Sequence, residues 1–137
     1  MIVREYKSFC EDEIISLYAS VGWTAYTKDP DALRNGFSHS LLVLAAYEGE
    51  RLLGIVRAVG DGATVVFVQD LLVFPDCQRK GVGSALLRAV LDRYPKVRQI
   101  ELVTDDTEET KAFYRAAGFA PLGELGCCGF MHCGSRK

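Results

Sequence analysis

A strand-like run that passes through a basic, glycine-containing loop directly into a helix constrains this chain more than any other feature. The run ends at Val73, the loop is Gln78-Arg79-Lys80-Gly81-Val82-Gly83, and apolar residues then recur at helical spacing. The first amides of a helix lack internal partners and carry partial positive charge, so they attract anions. Glycine there lets an anion approach the backbone. The segment predicts an anion site within an α/β fold.

Hydrophobic periodicity and turn residues predict the other elements. Three apolar runs joined by tight turns indicate an antiparallel meander over residues 41–47, 51–59 and 64–73. Helices are expected over 11–21, from 29 to about 39, from 81 to 94, and over 108–117 before Gly118. Short strands are expected at 2–6, 100–103 and 128–132. The predicted order is β-α-α-β-β-β-α-β-α-β, and the 137 residues suit a single domain over 1–137.

Charge and cysteine content exclude several classes of partner. Sixteen basic and 18 acidic residues give a net charge of −2, which is not expected of a protein that binds nucleic acid or an anionic membrane. The five cysteines are odd in number and lack Cys-x-x-Cys spacing. We therefore expect no metal site, and we expect the cysteines to be reduced thiols. The N-terminal segment is too charged for a signal peptide, and no apolar run approaches the ~20 residues of a membrane span. We expect a cytoplasmic protein.

Two common phosphate-binding loops do not fit this segment. A Walker loop requires G-x-x-x-x-G-K-[ST], but no lysine follows Gly83. A dinucleotide-binding fingerprint requires a third glycine, and Leu86 stands in its place. The remaining pattern is Gln78-x-x-Gly81-x-Gly83 after a strand.

With these motifs the chain resembles the GCN5-related N-acetyltransferase (GNAT) superfamily. The first matching block is Leu71-x-Val73-x-Pro75 followed by Gln78-x-x-Gly81-x-Gly83, and the second is the F-Y-x-x-x-G-F segment of residues 113–119. The resemblance implies an acyl-CoA N-acyltransferase fold of α/β class (α+β, mixed sheet). In that fold a central, mostly antiparallel sheet is flanked by helices and contains a splayed strand pair.

The resemblance also implies a cofactor site for acetyl-CoA, used as co-substrate without a metal. The pantetheine arm would lie beside the splayed strand and bond to its backbone, and the loop amides would hold the pyrophosphate. The expected cofactor-binding residues are Leu71, Leu72, Val73, Gln78, Arg79, Lys80, Gly81, Val82, Gly83 and Ser84.

Tyr114 occupies the position of the family's common general acid, where its hydroxyl would protonate the leaving thiolate after direct attack by the amine. The alternative is a packing tyrosine on an amphipathic helix. No general base can be assigned, because Phe67 stands where some relatives have a glutamate. Asp70, His39 and a chain of waters remain as candidates.

The acceptor is expected to contact the loop after the first helix, where Trp23 and Tyr26 could bind a cation through their ring faces. The two rings could equally fix the loop to the core. The function implied is acetyl transfer to a primary amine of a small molecule or peptide. The alternative is a non-catalytic, acyl-CoA-binding regulatory module. A homodimer is left open.

Overall fold

The structure is a computed structural model that describes residues 1–134. These residues fall into two units, Met1–Val103 and a second from Thr104 onward. The strands are β1 (Ile2–Glu5), β2 (Leu42–Glu48), β3 (Arg51–Gly60), β4 (Val65–Val73) and β5 (Gln99–Leu102). The helices are α1 (Glu11–Ser20), α2 (Thr24–Thr27), α3 (Pro30–Ser38), α4 (Val82–Arg93) and α5 (Glu108–Ala116). Short 3-10 turns cover Pro75–Cys77 and Leu122–Leu125.

The first unit is built on one mixed sheet of five strands in the order β1-β2-β3-β4-β5. Strands β1 to β4 pair antiparallel, and β5 runs parallel to β4. The predicted meander and the predicted fold class are therefore confirmed. The long apolar runs form the central strands because both of their faces are covered.

Helices cover the two faces of this sheet. Residues on one face pack with α1 and α3 in a core of buried side chains: Ile14, Leu17, Tyr18, Leu33, Phe37, Ala45, Leu52, Ile55 and Leu72. The alternate strand residues, such as Leu44 and Val56, are also buried, and α4 contacts β2, β3 and β4. Helix α4 therefore covers the other face. Within residues 1–134, none of the helices has the length and apolar character that a membrane span requires.

Gly54 lets β3 approach β4 at the end of the meander. A Cβ atom built on Gly54 would overlap the backbone carbonyl oxygen of Leu72, which cannot rotate away as a side chain can. We expect Gly54→Ala to lower the free energy of unfolding by about 1–3 kcal/mol, as overpacking does. Urea unfolding measures this change. The matched control is Gly123→Ala, because no atom lies within 4 Å of a Cβ at Gly123; equal midpoints for the two variants would contradict the prediction.

Strands β4 and β5 pair over only half of β4. Their register runs from Val65 opposite Gln99 to Val68 opposite Leu102, where β5 ends. Strand β4 continues to Val73 and remains paired with β3 up to that residue. Among the described residues, the outer edge of segment 69–73 has no neighbouring strand.

The second unit contains α5, whose N-cap is Thr107. The Thr107 hydroxyl accepts a hydrogen bond from the amide of Thr110 at 3.2 Å. The helix begins at the predicted residue and ends at Ala116, one residue before the predicted end, and Gly118 follows with φ of +96°.

The strand predicted at residues 128–132 is wrong: the segment has no regular secondary structure. Gly129 weakens any strand there, and Phe130 is 96% exposed, so no neighbouring strand buries it. A lone extended segment has no ladder of hydrogen bonds to hold it.

Candidate active site

The outer edge of β4 presents backbone groups of Leu71 and Val73 that are not bonded to a neighbouring strand. The amide of Phe74 donates to the carbonyl of Leu53 at 3.0 Å, and Val73 lies opposite Gly54. Since bonded and non-bonded pairs alternate in an antiparallel ladder, Leu72 directs its N–H and C=O to β3, whereas Leu71 and Val73 direct theirs away. The backbone of Leu72 is bonded to β3. Of the three strand residues expected to contact the cofactor, only Leu71 and Val73 therefore have backbone groups that face the outer edge.

The loop after β4 begins the helix α4 in a conformation that suits an anion. Gly81 is the N-cap with φ of +85°, and Arg79 also has a left-handed φ of +62°, which is uncommon for a residue other than glycine. The first bond within α4 joins the amide of Ala85 to the carbonyl of Gly81 at 3.0 Å. The amides of residues 82–84 therefore have no acceptor within the helix. Residues 78–81, including Lys80, are exposed.

Three contacts hold the beginning of the loop in place. The side chain of Cys77 is buried, and its burial raises the pKa of the thiol. The Gln78 side-chain amide donates to the carbonyl of Val73 at 3.0 Å, and Arg51 forms an ion pair with Asp76 at 2.6 Å. Gln78 thus connects the loop to the end of the open strand edge.

In the second unit, Tyr114 lies on α5 among aromatic rings. Its ring centroid is 5.0 Å from that of Phe113 and 5.9 Å from that of Phe119, both in edge-to-face geometry. Burial raises the pKa of the Tyr114 hydroxyl, so this group keeps its proton at neutral pH. Among residues 1–134, the Tyr114 hydroxyl has no hydrogen-bond partner.

The loop expected to contact the acceptor contains the short helix α2, which the sequence did not predict. The rings of Trp23 and Tyr26 stack with centroids 5.9 Å apart, and Tyr18 contacts both rings. Trp23 is 38% exposed, so its ring both packs and meets solvent. Tyr26 also lines a cavity of about 170 Å³ between α2 and α3.

A buried ion pair lies beside these rings and was not predicted from the sequence. Nε of Arg57 donates to Oδ2 of Asp70 at 2.8 Å, and the hydroxyl of Tyr18 donates to the same oxygen at 2.5 Å. Burial, and then the charge of Asp70, raise the pKa of Tyr18. Oδ1 of Asp70 is buried without a hydrogen-bond partner in the described part of the chain. The sequence signal was that Asp70 is the only acid in this strand.

The other positions considered for the general base do not hold a buried titratable group. His39 follows α3 and is exposed, with Nδ1 2.9 Å from the carbonyl oxygen of Asn35. Phe67 lies on β4 and has no titratable group. Within residues 1–134, no group of three or more His, Cys, Asp or Glu residues is placed to hold a metal ion.

Known proteins resemble this chain over most of its length. Residues 6–119 match the model of the Acetyltransferase (GNAT) family. A GNAT family acetyltransferase from Streptococcus pneumoniae has the same fold, with a TM-score of 0.88 and 35% identity over 98% of each chain. Serotonin N-acetyltransferase 2 (chloroplastic) from Oryza sativa subsp. japonica is 34% identical over 110 residues, which are 76% of this chain and 53% of that protein. The chain thus spans about half the length of the rice relative.

A third likeness concerns the fold alone. An aminoglycoside 6'-N-acetyltransferase, solved in complex with coenzyme A, gives a TM-score of 0.66 at 19% identity over 79% of this chain and 64% of that one. The partly open sheet and the glycine-containing helix start are the features that the GNAT resemblance predicted. Since the family match covers residues 6–119, the chain belongs to the GNAT family of acetyltransferases.

Proposed function

We propose that this protein transfers the acetyl group of acetyl-CoA to a primary amine of a small molecule or peptide. One observation carries the proposal: the open edge of β4 leads directly into a helix start with unpaired amides and basic residues. An extended arm that can form hydrogen bonds, ending in phosphates, complements both features. The matched coenzyme A complex and the name of the rice relative support a coenzyme A donor and an amine acceptor.

The proposed roles in donor binding follow from the backbone. The free N–H and C=O groups of Leu71 and the N–H of Val73 bond to the pantetheine arm, since Gln78 already donates to the Val73 carbonyl. The amides of residues 79–84 hold the pyrophosphate, and the side chains of Arg79 and Lys80 add positive charge.

The proposed chemistry is direct transfer. The neutral amine nitrogen attacks the thioester carbonyl carbon, the C–S bond breaks, and the Tyr114 hydroxyl gives its proton to the departing sulfur. The Tyr114 hydroxyl is protonated at the start of each turnover, because burial moves its pKa further above neutral pH. The nitrogen loses one proton to water, because Asp70 is buried and Phe67 cannot accept it. Water returns a proton to the Tyr114 phenolate, which restores the hydroxyl for the next turnover.

Release of free thiol from acetyl-CoA, measured across a panel of amines, tests the proposal. Thiol release that depends on an amine, with an acetylated amine as the second product, is expected. Tight coenzyme A binding without release for any amine would favour the alternative, a regulatory module that binds acyl-CoA without turnover. We propose a single catalytic domain over residues 1–137. Cytoplasmic location stays a prediction, and a homodimer stays open.

We expect Trp23→Ala to raise the KM for the amine by at least roughly tenfold and to change the KM for acetyl-CoA little. The substitution removes the ring stacked on Tyr26, which lines the cavity between α2 and α3. Steady-state kinetics with each substrate varied in turn measures both constants. Trp23→Phe keeps an aromatic ring in the stack and is the matched control. Equal effects on both constants, or loss of folding, would indicate that Trp23 only packs.

A further inference from the structure

The last paired residues of β4 and β5 lie beside the only acid of β5. Val68 opposite Leu102 is the final pair in the register, and the open segment 69–73 begins at the next residue of β4. Glu101 precedes Leu102 and lies opposite Phe67. A carboxylate therefore stands one residue from the point where the two strands separate.

The side chain of Glu101 is on the face of the sheet that α1 and α3 cover. Val68 lies opposite Ala58, and Ala58 shares the α4 face with Val56, because residues two apart on a strand point to the same side. Phe67 precedes Val68 and therefore points to the other face. Residues opposite each other in a ladder share a face, so Glu101 points there with Phe67.

The proposed acceptor contacts lie on the same face. The hydroxyl of Tyr18, on α1, donates to Asp70 on β4. The ring of Tyr18 also contacts the rings of Trp23 and Tyr26, which the amine is proposed to approach. Glu101 therefore faces the side of the sheet from which the amine is proposed to enter.

The Glu101 carboxylate is available to accept a proton, whereas that of Asp70 is not. These two residues are the only acids on β4 and β5. Oδ2 of Asp70 accepts hydrogen bonds from Arg57 and Tyr18, and the Asp70 side chain is 0% exposed. Glu101 is half-buried, and across the described residues its carboxylate has no hydrogen-bond or ion-pair partner. It can take a proton without breaking an existing contact.

The proposed donor site directs its reacting end to this point. With the pyrophosphate at the start of α4 and the arm beside Leu71 and Val73, the arm runs from Val73 toward Leu71. Its thioester end is then directed along β4 toward Gln69, the first residue of the open segment. The carbonyl that the amine attacks therefore approaches the end of β5 that carries Glu101.

We infer that Glu101 is the proton acceptor of the acetyl transfer and acts on the attacking nitrogen through one water molecule. The inference rests on the proposed function, because it completes the proton path of that reaction. The position of Glu101 beside the open edge and its carboxylate without a partner carry it.

The step balances in atoms and charge. The lone pair of the nitrogen forms the N–C bond, and the nitrogen becomes positive. Its proton passes to the water, a proton of that water passes to a carboxylate oxygen of Glu101, and the electron pair of the N–H bond returns to the nitrogen. The carbonyl re-forms as the C–S bond breaks, and the sulfur takes the proton of Tyr114. The carboxyl group of Glu101 then gives its proton to solvent.

The negative charge of Glu101 favours the same step. The nitrogen of a neutral amine becomes positive only as it attacks, so a nearby carboxylate stabilises the transition state more than the bound amine. A carboxamide of the same shape can hold the water, but it supplies no charge and does not take the proton.

Glu101→Gln tests the inference, because it removes the charge and keeps the shape. We expect the single-turnover rate of acetyl transfer to fall by at least roughly tenfold, since general base catalysis typically contributes about 10²–10⁴ in rate. Coenzyme A affinity, measured by calorimetry, should stay within a few-fold of the parent. The melting temperature should change little, because the substitution breaks no contact of Glu101.

The matched control is Glu50→Gln, in the turn between β2 and β3, which should leave rate and affinity unchanged. A single-turnover rate in Glu101→Gln that equals the parent's would overturn the inference. An equal loss of rate and of coenzyme A affinity would also overturn it, because that result would indicate damage to the donor site.

Moving the carboxylate across the strand pair separates a chemical role from a structural one. Phe67→Glu, added to Glu101→Gln, places a carboxylate on the same face, one strand spacing of about 4.8 Å away. Phe67 is half-buried, so glutamate should be accommodated there. We expect this double variant to be at least roughly threefold faster than Glu101→Gln alone, whereas Phe67→Gln in the same background should not be. A folded double variant that is no faster would overturn the inference.

The parent protein in the same assay separates this inference from the proposed function. Equal rates of amine-dependent thiol release by the parent and by Glu101→Gln would overturn the inference and leave acetyl transfer standing. A parent protein without amine-dependent thiol release would count against acetyl transfer, and the inference would fall with it.

Discussion

Gly83→Glu is expected to lower the affinity for coenzyme A by at least roughly a hundredfold while the protein remains folded. Gly83 is the second residue of α4, in the turn whose amides have no acceptor within the helix. A carboxylate there would stand close to the pyrophosphate, and two like charges about 4 Å apart near a protein surface repel by about 4 kcal/mol. An acidic residue in the first turn of a helix favours the helix itself, so the loss should be confined to binding.

Isothermal titration with coenzyme A measures this change, and Gly83→Gln is the matched control. Glutamine has the size of glutamate without its charge, so the difference in affinity between the two variants measures the charge repulsion. The loss of affinity that both variants share measures the steric effect of the side chain. A folded Gly83→Glu variant with the parent's affinity would show that the pyrophosphate lies elsewhere.

Tyr114→Phe is expected to reduce the rate of acetyl transfer by at least roughly tenfold, and general acid catalysis allows about 10²–10⁴. The substitution removes only the hydroxyl. The ring contacts to Phe113 and Phe119 can persist, so cofactor affinity should stay within a few-fold of the parent and the melting temperature should change little. A loss confined to kcat is the signature of an interaction made in the transition state.

Single-turnover kinetics is the decisive measurement, because slow product release could hide a defect in the chemical step. Phe113→Leu is a useful comparison, since it alters the same aromatic cluster without touching a hydroxyl. Full single-turnover activity in Tyr114→Phe would remove Tyr114 from the mechanism and leave water as the proton source.

The sequence predicted those parts of the fold that depend on local pattern. The meander follows from long β-branched runs, the end of α5 from Gly118, and the start of α4 from Gly81. Helix α2 was missed because four residues are too few to show a helical period. The strand expected at 128–132 was wrong because a short extended segment needs a partner strand, and none buries Phe130.

The polar contacts of the site depend on residues far apart in the chain. Tyr18 and Asp70 are separated by 52 positions, and no local pattern places a helix tyrosine on a strand carboxylate. Nothing in the sequence distinguishes Arg57 from other polar residues in strands. Only the register of β3 against β4 places it opposite Asp70. The register between β4 and β3 also decides which backbone groups of residues 71–73 are free. That register cannot be read from the sequence of β4 alone.

The unpaired edge of β4 has a consequence for how the protein behaves during storage and expression. A strand edge with free N–H and C=O groups is a template on which another extended chain can assemble. When the edge is filled by a small molecule, that template is masked. Preparations without coenzyme A should therefore be the ones prone to self-association on warming, so the donor substrate would also act as a solubilising agent for its own enzyme.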